Sequence, residues 1–295
     1  MKVNIYTSLN GVGLQVDADI IRAVLSEHEV HIIDYVKRQL GDKSDIAFHL
    51  EIPRYDDFAK NKQNILIPNP EWFDPKWMPK LKQFDRIFTK TNHATKIFSK
   101  FHNVVEYSGF TSLDLYNDRI KKDKTFFHLE GKSMLKNTTS LVEAYKKDHT
   151  LPVCYSVSQR TVGRYNNLLF AQRQSIENLG ILLNACVVHV CPSQYEGFGH
   201  YINEARSCGA VVITTDVPPM NEFIKEKAFL VQGRRAKIKN LVPMHTVDSI
   251  ELSNAIKRAN DMDLSTLIAY GKKNRERFLT NDKEFKERFI KLINV

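Results

Sequence analysis

The chain has 295 residues, 42% hydrophobic and 26% charged, with 43 Lys plus Arg against 34 Asp plus Glu, a formal net charge of +9. With only 12 Gly, 10 Pro and 4 Cys it is no collagen, disordered or disulfide-scaffold sequence, and its length exceeds the roughly 250 residues at which single cores stop growing, which predicts two domains. The charge predicts attraction to something acidic without choosing among nucleic acid, an anionic membrane and a phosphorylated small molecule.

Residues 2–7 alternate as a strand does, where a signal peptide would show a continuous apolar core, and no apolar run approaches the roughly 20 residues of a membrane span. The expectation is a cytoplasmic, unprocessed chain, with peripheral membrane attachment left open by its charge. A helix over 13–26 follows, then strands over 29–34, 46–50 and 64–68, a loop rich in Pro and Trp, a strand over 85–89, a helix over 92–101 and a strand over 104–107. Strands alternating with helices predict a parallel sheet covered on both faces. The charged segment 118–124, DRIKKDK, breaks the pattern and reads as a linker. A second series then runs as strand 125–129, helix 138–147, strand 152–157, helix 174–185, strand 187–191, helix 199–207, strand 211–215 and helices over 249–259 and 265–278. Cys154, Cys186, Cys191 and Cys208 form no C-x-x-C pair and lie in apolar surroundings, so buried reduced thiols are expected.

The richest stretch is 191–222, CPSQYEGFGHYINEARSCGAVVITTDVPPMNE. An apolar strand ends at Cys191 and Pro192, Gly197-Phe198-Gly199 forms a turn, and a helix runs to Gly209. A strand, a glycine turn and a helix N-terminus make an anion site, because backbone N–H groups approach a phosphate closely there. Glu196 precedes the helix and Glu204 follows eight positions later; read alone, they fit either two ends of one ligand or a solvated helix face.

This stretch resembles the Glu-x7-Glu motif of the retaining glycosyltransferases of family 4. Pro192, Ser193, Glu196, Gly197, Phe198, Gly199, Glu204, Ala205, Gly209, Thr215 and Asp216 match it. The resemblance implies a GT-B fold, an α/β architecture of two Rossmann-like doubly wound domains facing each other across a cleft. It implies transfer of a sugar from a nucleotide-diphosphate sugar, held by the C-terminal domain, to a hydroxyl acceptor such as a glycan held by the N-terminal one, with no further cofactor and no obligatory protein partner. Residues 1–118 would be the acceptor domain and 124–278 the nucleotide-sugar domain, with 279–295 a C-terminal helix packing back on the first. Carried over, Glu204 binds ribose hydroxyls, while Glu196 and the backbone of Gly197, Phe198 and Gly199 face the donor sugar and phosphates.

A second constellation lies in 126–145, where an apolar strand leads to Gly131-Lys132-Ser133 and Lys136 before a helix. Two lysines four apart can present ammonium groups to phosphates at a strand end, or be solvated. The triplet also ends a P-loop pattern, but that pattern needs a glycine where Phe126 stands. The family resemblance implies that Lys136, and Lys132 in place of the usual Arg, neutralise the donor diphosphate; the Lys for Arg exchange leaves a point charge instead of a fork.

In 8–17, Gly11 and Gly13 fall short of a dinucleotide fingerprint, whose third glycine would be at Val16. They are turn glycines or, by the resemblance, neighbours of the donor phosphates. The loop 68–79, PNPEWFDPKWMP, offers Asn69, Glu71 and Trp72 as acceptor-side candidates, and His49, His93 and the 109–112 turn are further polar candidates in the first domain. Two D-x-D triplets, Asp17-Ala18-Asp19 and Asp261-Met262-Asp263, lie in or beside predicted helices, so no metal site is expected. Two alternatives stay open on other grounds: a basic nucleic-acid-binding protein or a DNA- or polyanion-directed transferase, on clusters such as Arg234-Arg235-Lys237-Lys239 and Lys272-Lys273-Arg275-Arg277, and a Rossmann-type oxidoreductase.

Overall fold

A computed structural model gives the protein's fold. It describes every residue except Asn10, Val12, Lys132, Arg173 and Val295, and of Ile176 the backbone alone. The chain divides into two compact units.

The first unit comprises Met1–Leu113, Ile238–Val242 and Asn281–Val295. Its elements in chain order are β1 (Lys2–Thr7), α1 (Gly13–Val24), β2 (Glu29–Asp34), β3 (Ser44–Leu50), β4 (Asn61–Ile67), β5 (Arg86–Thr89), α2 (Asn92–Phe98) and β6 (Val105–Tyr107). The strands form a parallel sheet in the order β2-β1-β3-β4-β5-β6, with Ile5 of β1 flanked by Ile32 and Phe48. Its central strands are buried on both faces, as a strand covered on both sides is: Val3, Ile5 and Tyr6 of β1, and Ala47 and Phe48 of β3, have no exposed surface. The strand order reverses between β1 and β3, which places the ligand-binding end of this sheet at the carboxyl ends of those strands. The aromatic loop is stiffened by a 3-10 turn, Pro75–Gln83, which Asp74 caps by accepting a hydrogen bond from Lys76 N.

The second unit comprises Asp114–Lys237 and Pro243–Thr280. Through its core run β7 (Asp123–Gly131), α3 (Thr138–Lys147), β8 (Cys154–Ser158), β9 (Gly163–Tyr165), β10 (Leu168–Ala171), α4 (Ile176–Ala185), β11 (Cys186–Cys191), α5 (His200–Ser207), β12 (Val211–Thr215), α6 (Met220–Phe223) and β13 (Leu230–Val231). There follow β14 (Gly233–Lys239), β15 (Val242–Val247), α7 (Ser249–Asp261) and α8 (Leu264–Ile293). The main sheet has the order β13-β12-β11-β7-β8-β10-β9, parallel except for β9, while β14 and β15 make a separate two-stranded sheet. Here the order reverses between β7 and β11. Cys154, Cys186, Cys191 and Cys208 are free and buried.

Three features differ from the sequence reading. The division between the units falls ahead of 118–124, and Asp123 and Lys124 open β7, where they are exposed and the buried run begins at Phe126. The two helices expected after 265 are one 30-residue helix, α8. The hairpins β9–β10 and β14–β15 were not anticipated; each turns at an asparagine in the left-handed region, Asn166 at φ 55° and Asn240 at φ 50°.

Candidate active site

The reversal of strand order in the second sheet brings together the loops that follow β7 and β11. After β7, Gly131 adopts φ 59° with open space where a side chain would stand. Ser133 then accepts a hydrogen bond from Leu135 N at 3.2 Å, capping a short turn that sets Lys136 in place. After β11, Gln194 N donates to Leu135 O at 2.8 Å, joining the two loops, and Thr215 Oγ1 donates to Ser193 O at 2.7 Å, tying in β12. Beneath them His128 is fully buried between Val190 O and Thr138 Oγ1, and burial lowers its pKa to about 4, so it is a neutral bridge between β7, β11 and α3.

On this frame Lys136 Nζ donates to Glu196 Oε1 at 2.8 Å, with each side chain 14% exposed. Ser193 Oγ donates to the same oxygen at 2.5 Å and is also hydrogen-bonded to the Tyr201 hydroxyl. Lys136 Nζ stands 3.3 Å from the centroid of the Tyr201 ring, a cation–π contact that fixes the ammonium from a second side. Gly199 takes φ 88° at the start of α5, a conformation costly for a residue with a Cβ. Glu204 lies on α5, half-buried; burial pushes its carboxyl above the ordinary value while His200 and Lys136 pull it down. Among the described residues none donates a hydrogen bond to that carboxylate. Phe198 is buried edge-on against His200 and Phe223 and shapes the turn by packing. Lys132 lies outside the described residues.

Lys136, Glu196, Glu204, Gly131 and the Gly197 to Gly199 turn therefore share one place in the second unit. Tyr201 and His128 belong to it too and escaped the sequence reading, since on a helix face and within a strand they look like core residues. So did His245, whose backbone N donates to Gln194 O at 2.9 Å.

In the first unit, Gly11 (φ 70°) donates its N–H to Gln15 Oε1 at 3.1 Å and Gly13 opens α1. Asn69 Nδ2 donates to Glu51 Oε2 at 2.9 Å, and buried Glu71 accepts through its carbonyl from Asn240 Nδ2. Trp72 is 46% exposed, with Lys239 Nζ 3.1 Å from its ring centroid, so one ring face is already covered. His49 is placed elsewhere: its ring is wholly buried among Tyr6, Phe58 and Phe84, and its nitrogens face Asn64 Oδ1 and Arg54 N. Burial lowers its pKa to about 4. His93 stands in the first turn of α2, and Gly109 (φ 65°) lies against Arg288. A pair the sequence did not suggest is Asp17 with Lys90, a buried ion pair joining α1 to the end of β5. In the two D-x-D triplets Asp17 is thus engaged, Asp19 pairs with Arg22 at 2.7 Å, and Asp263 caps α8 through Thr266 N at 2.7 Å.

The family model described as "Glycosyl transferases group 1" matches residues 158–260. No curated protein sequence matches significantly. Among solved structures, the chain is similar to a sucrose-phosphate synthase from Thermosynechococcus elongatus, at 14% identity and a TM-score of 0.75 over 100% of this chain and 98% of that one. It is similar to Anabaena HepE in complex with UDP, at 12% identity and a TM-score of 0.70 over the whole of both chains. It is also similar to the pneumococcal O-GlcNAc transferase GtfA in complex with UDP and GlcNAc, at 16% identity and a TM-score of 0.65 over 86% of this chain, which spans 57% of that longer one. The chain has the GT-B fold, α/β with two Rossmann-like units built on parallel sheets.

Proposed function

We propose that the protein is a glycosyltransferase of the family 4 type. It transfers a sugar, with retention and without a metal ion, from a nucleotide-diphosphate sugar to the hydroxyl of an acceptor such as a glycan. The observation that carries this reading is the constellation at the β7/β11 reversal: a lysine fixed by Glu196 and Tyr201, a half-buried carboxylate on α5 with no donor from the described residues, and two glycine turns, at Gly131 and at Gly197 to Gly199.

Each part has a matching task. Glu204 accepts from a ribose diol, for which two carboxylate oxygens suffice. Lys136, with Lys132, neutralises the diphosphate as it leaves, and the N–H groups of the Gly197 to Gly199 turn add their dipoles. Glu196 holds Lys136 and faces the donor sugar. The acceptor oxygen bonds to the anomeric carbon as the bond from that carbon to the diphosphate oxygen breaks, on the same face, and the acceptor's proton passes to the leaving phosphate. Gly11 and Gly13 adjoin the donor phosphates, and Asn69 and the free face of Trp72 take the acceptor, while buried Glu71 ties their loop to Asn240. Engagement of Asp17, Asp19 and Asp263 within the fold supports neutralisation by lysines and N–H groups.

Thermal-shift measurement with UDP-, GDP-, ADP- and CMP-sugars tests the reading. A donor at 100 times its dissociation constant stabilises the protein by about 2.7 kcal/mol. A shift with one of them that Glu204→Ala abolishes is expected; a shift with nicotinamide dinucleotides alone would sink the proposal in favour of an oxidoreductase.

A further inference from the structure

The donor site uses two lysines and leaves most of the +9 charge without a role. One element concentrates it. In β14 the residues Arg234, Arg235, Ala236, Lys237 and Ile238 are all exposed, so neither face of this part of the strand is covered. Among the described residues the strand pairs in a two-stranded sheet with β15, and the whole hairpin 233–247 contains no Asp or Glu. The cation at its far end is already occupied: Lys239 lies over Trp72, and next to it the neutral Asn240 donates to Glu71 O. Of the others, Arg234 is 71% exposed and, among the described residues, pairs with Asp248 at 3.7 Å. Arg235 and Lys237 have no carboxylate within ion-pair distance among the described residues. Beside them Ile238 is 65% exposed.

We propose that β14 is a docking edge for an anionic membrane surface. Cations attract the lipid headgroups near the surface, and an apolar side chain among them enters the interfacial layer. The exposed isoleucine favours a bilayer over nucleic acid, since a phosphate backbone offers it no apolar partner. The asparagine that could read a base edge, Asn240, is engaged with Glu71. Charges on an edge strand also deter strand-to-strand aggregation, a role that would leave vesicle binding untouched. The surface is built on β14, not on the loops after β7 and β11, and its docking does not require a bound donor.

The test is cosedimentation of the full chain with vesicles of phosphatidylcholine alone and of phosphatidylcholine mixed with phosphatidylserine, beside duplex DNA at the same salt. Expected is binding to the mixed vesicles only, weakened about tenfold or more by the double change Arg235→Glu, Lys237→Glu. Ile238→Ser should weaken it further at unchanged charge. The milder Arg235→Gln, Lys237→Gln pair serves should the reversal impair folding, read by circular dichroism. The change Lys272→Glu, Lys273→Glu on the exposed face of α8 alters net charge equally and should leave binding intact. No binding to mixed vesicles, tighter binding to DNA, or equal loss in the α8 variant would each overturn the proposal.

Discussion

At Glu204 burial pushes the carboxyl up from its ordinary value, against the pull of His200 and Lys136, while no described residue offers it a hydrogen bond. The folded protein therefore binds this proton more tightly than the unfolded chain does. Its stabilising share is complete below the ordinary carboxylate pKa and is lost as pH rises through the folded value. Glu204→Gln should accordingly raise the melting temperature at pH 7, and the gain over the parent should vanish at pH 4. The same variant should lose donor affinity, by about 1.5 to 3 kcal/mol for hydrogen bonds to a charged acceptor. A calorimetric scan at both pH values and a donor titration check the two halves; opposite signs for stability and binding mark a group kept for a ligand. Lys136 differs, because Glu196 and Tyr201 already hold it. Lys136→Met should cost both stability, on the order of 1 to 3 kcal/mol, and turnover.

Among the elements, α8 and the end of α5 meet closely enough to forbid a methyl group. A Cβ on Gly271 would stand 2.1 Å from Gly209 O, and Gly209 itself takes φ 66° after α5. Gly271→Ala must shift helix against loop, so it should destabilise the second unit by about 1 to 3 kcal/mol, the usual cost of overpacking, despite Ala's better helix propensity. Urea unfolding measures it. The alternating strands and helices were legible because β11 and β12 are nearly continuous apolar runs and β1 alternates, each between turn signals. Glu196, the glycine turn and Glu204 were legible because they lie within one short stretch. What was not legible has physical reasons. Gly163–Tyr165 is too short and polar to show alternation. In α8 the buried face passes from Phe278 to Phe285 across polar residues, a gap that looks like a helix end. Asp17 and Lys90 are 73 residues apart, and only the fold brings them together.

Across the whole molecule, each unit keeps neutral histidines in its core: His49 in the first, with a pKa near 4, and His128 and His189 in the second, near 4 and 3, all lowered by burial. The unfolded chain protonates these at about 6.5. Stability should thus fall as pH drops below about 6.5, levelling only below the folded values, and melting curves between pH 7 and 4 check it. The first unit has an aromatic cluster of its own. Phe289 has no exposed surface, and its ring lies 5.3 Å from Phe48, 5.8 Å from Phe88 and 5.4 Å from Phe285, all within the first unit. The end of α8 thus completes a core whose other members come from β3 and β5. Phe289→Ala removes the ring from that cluster at a cost of about 3 to 5 kcal/mol. Amide hydrogen exchange followed strand by strand should show lost protection in β3 and β5 with β7 and β11 little changed. Equal loss in both sheets would mean that the two cores unfold as one cooperative body, in which case donor affinity in the second unit should fall with the same substitution.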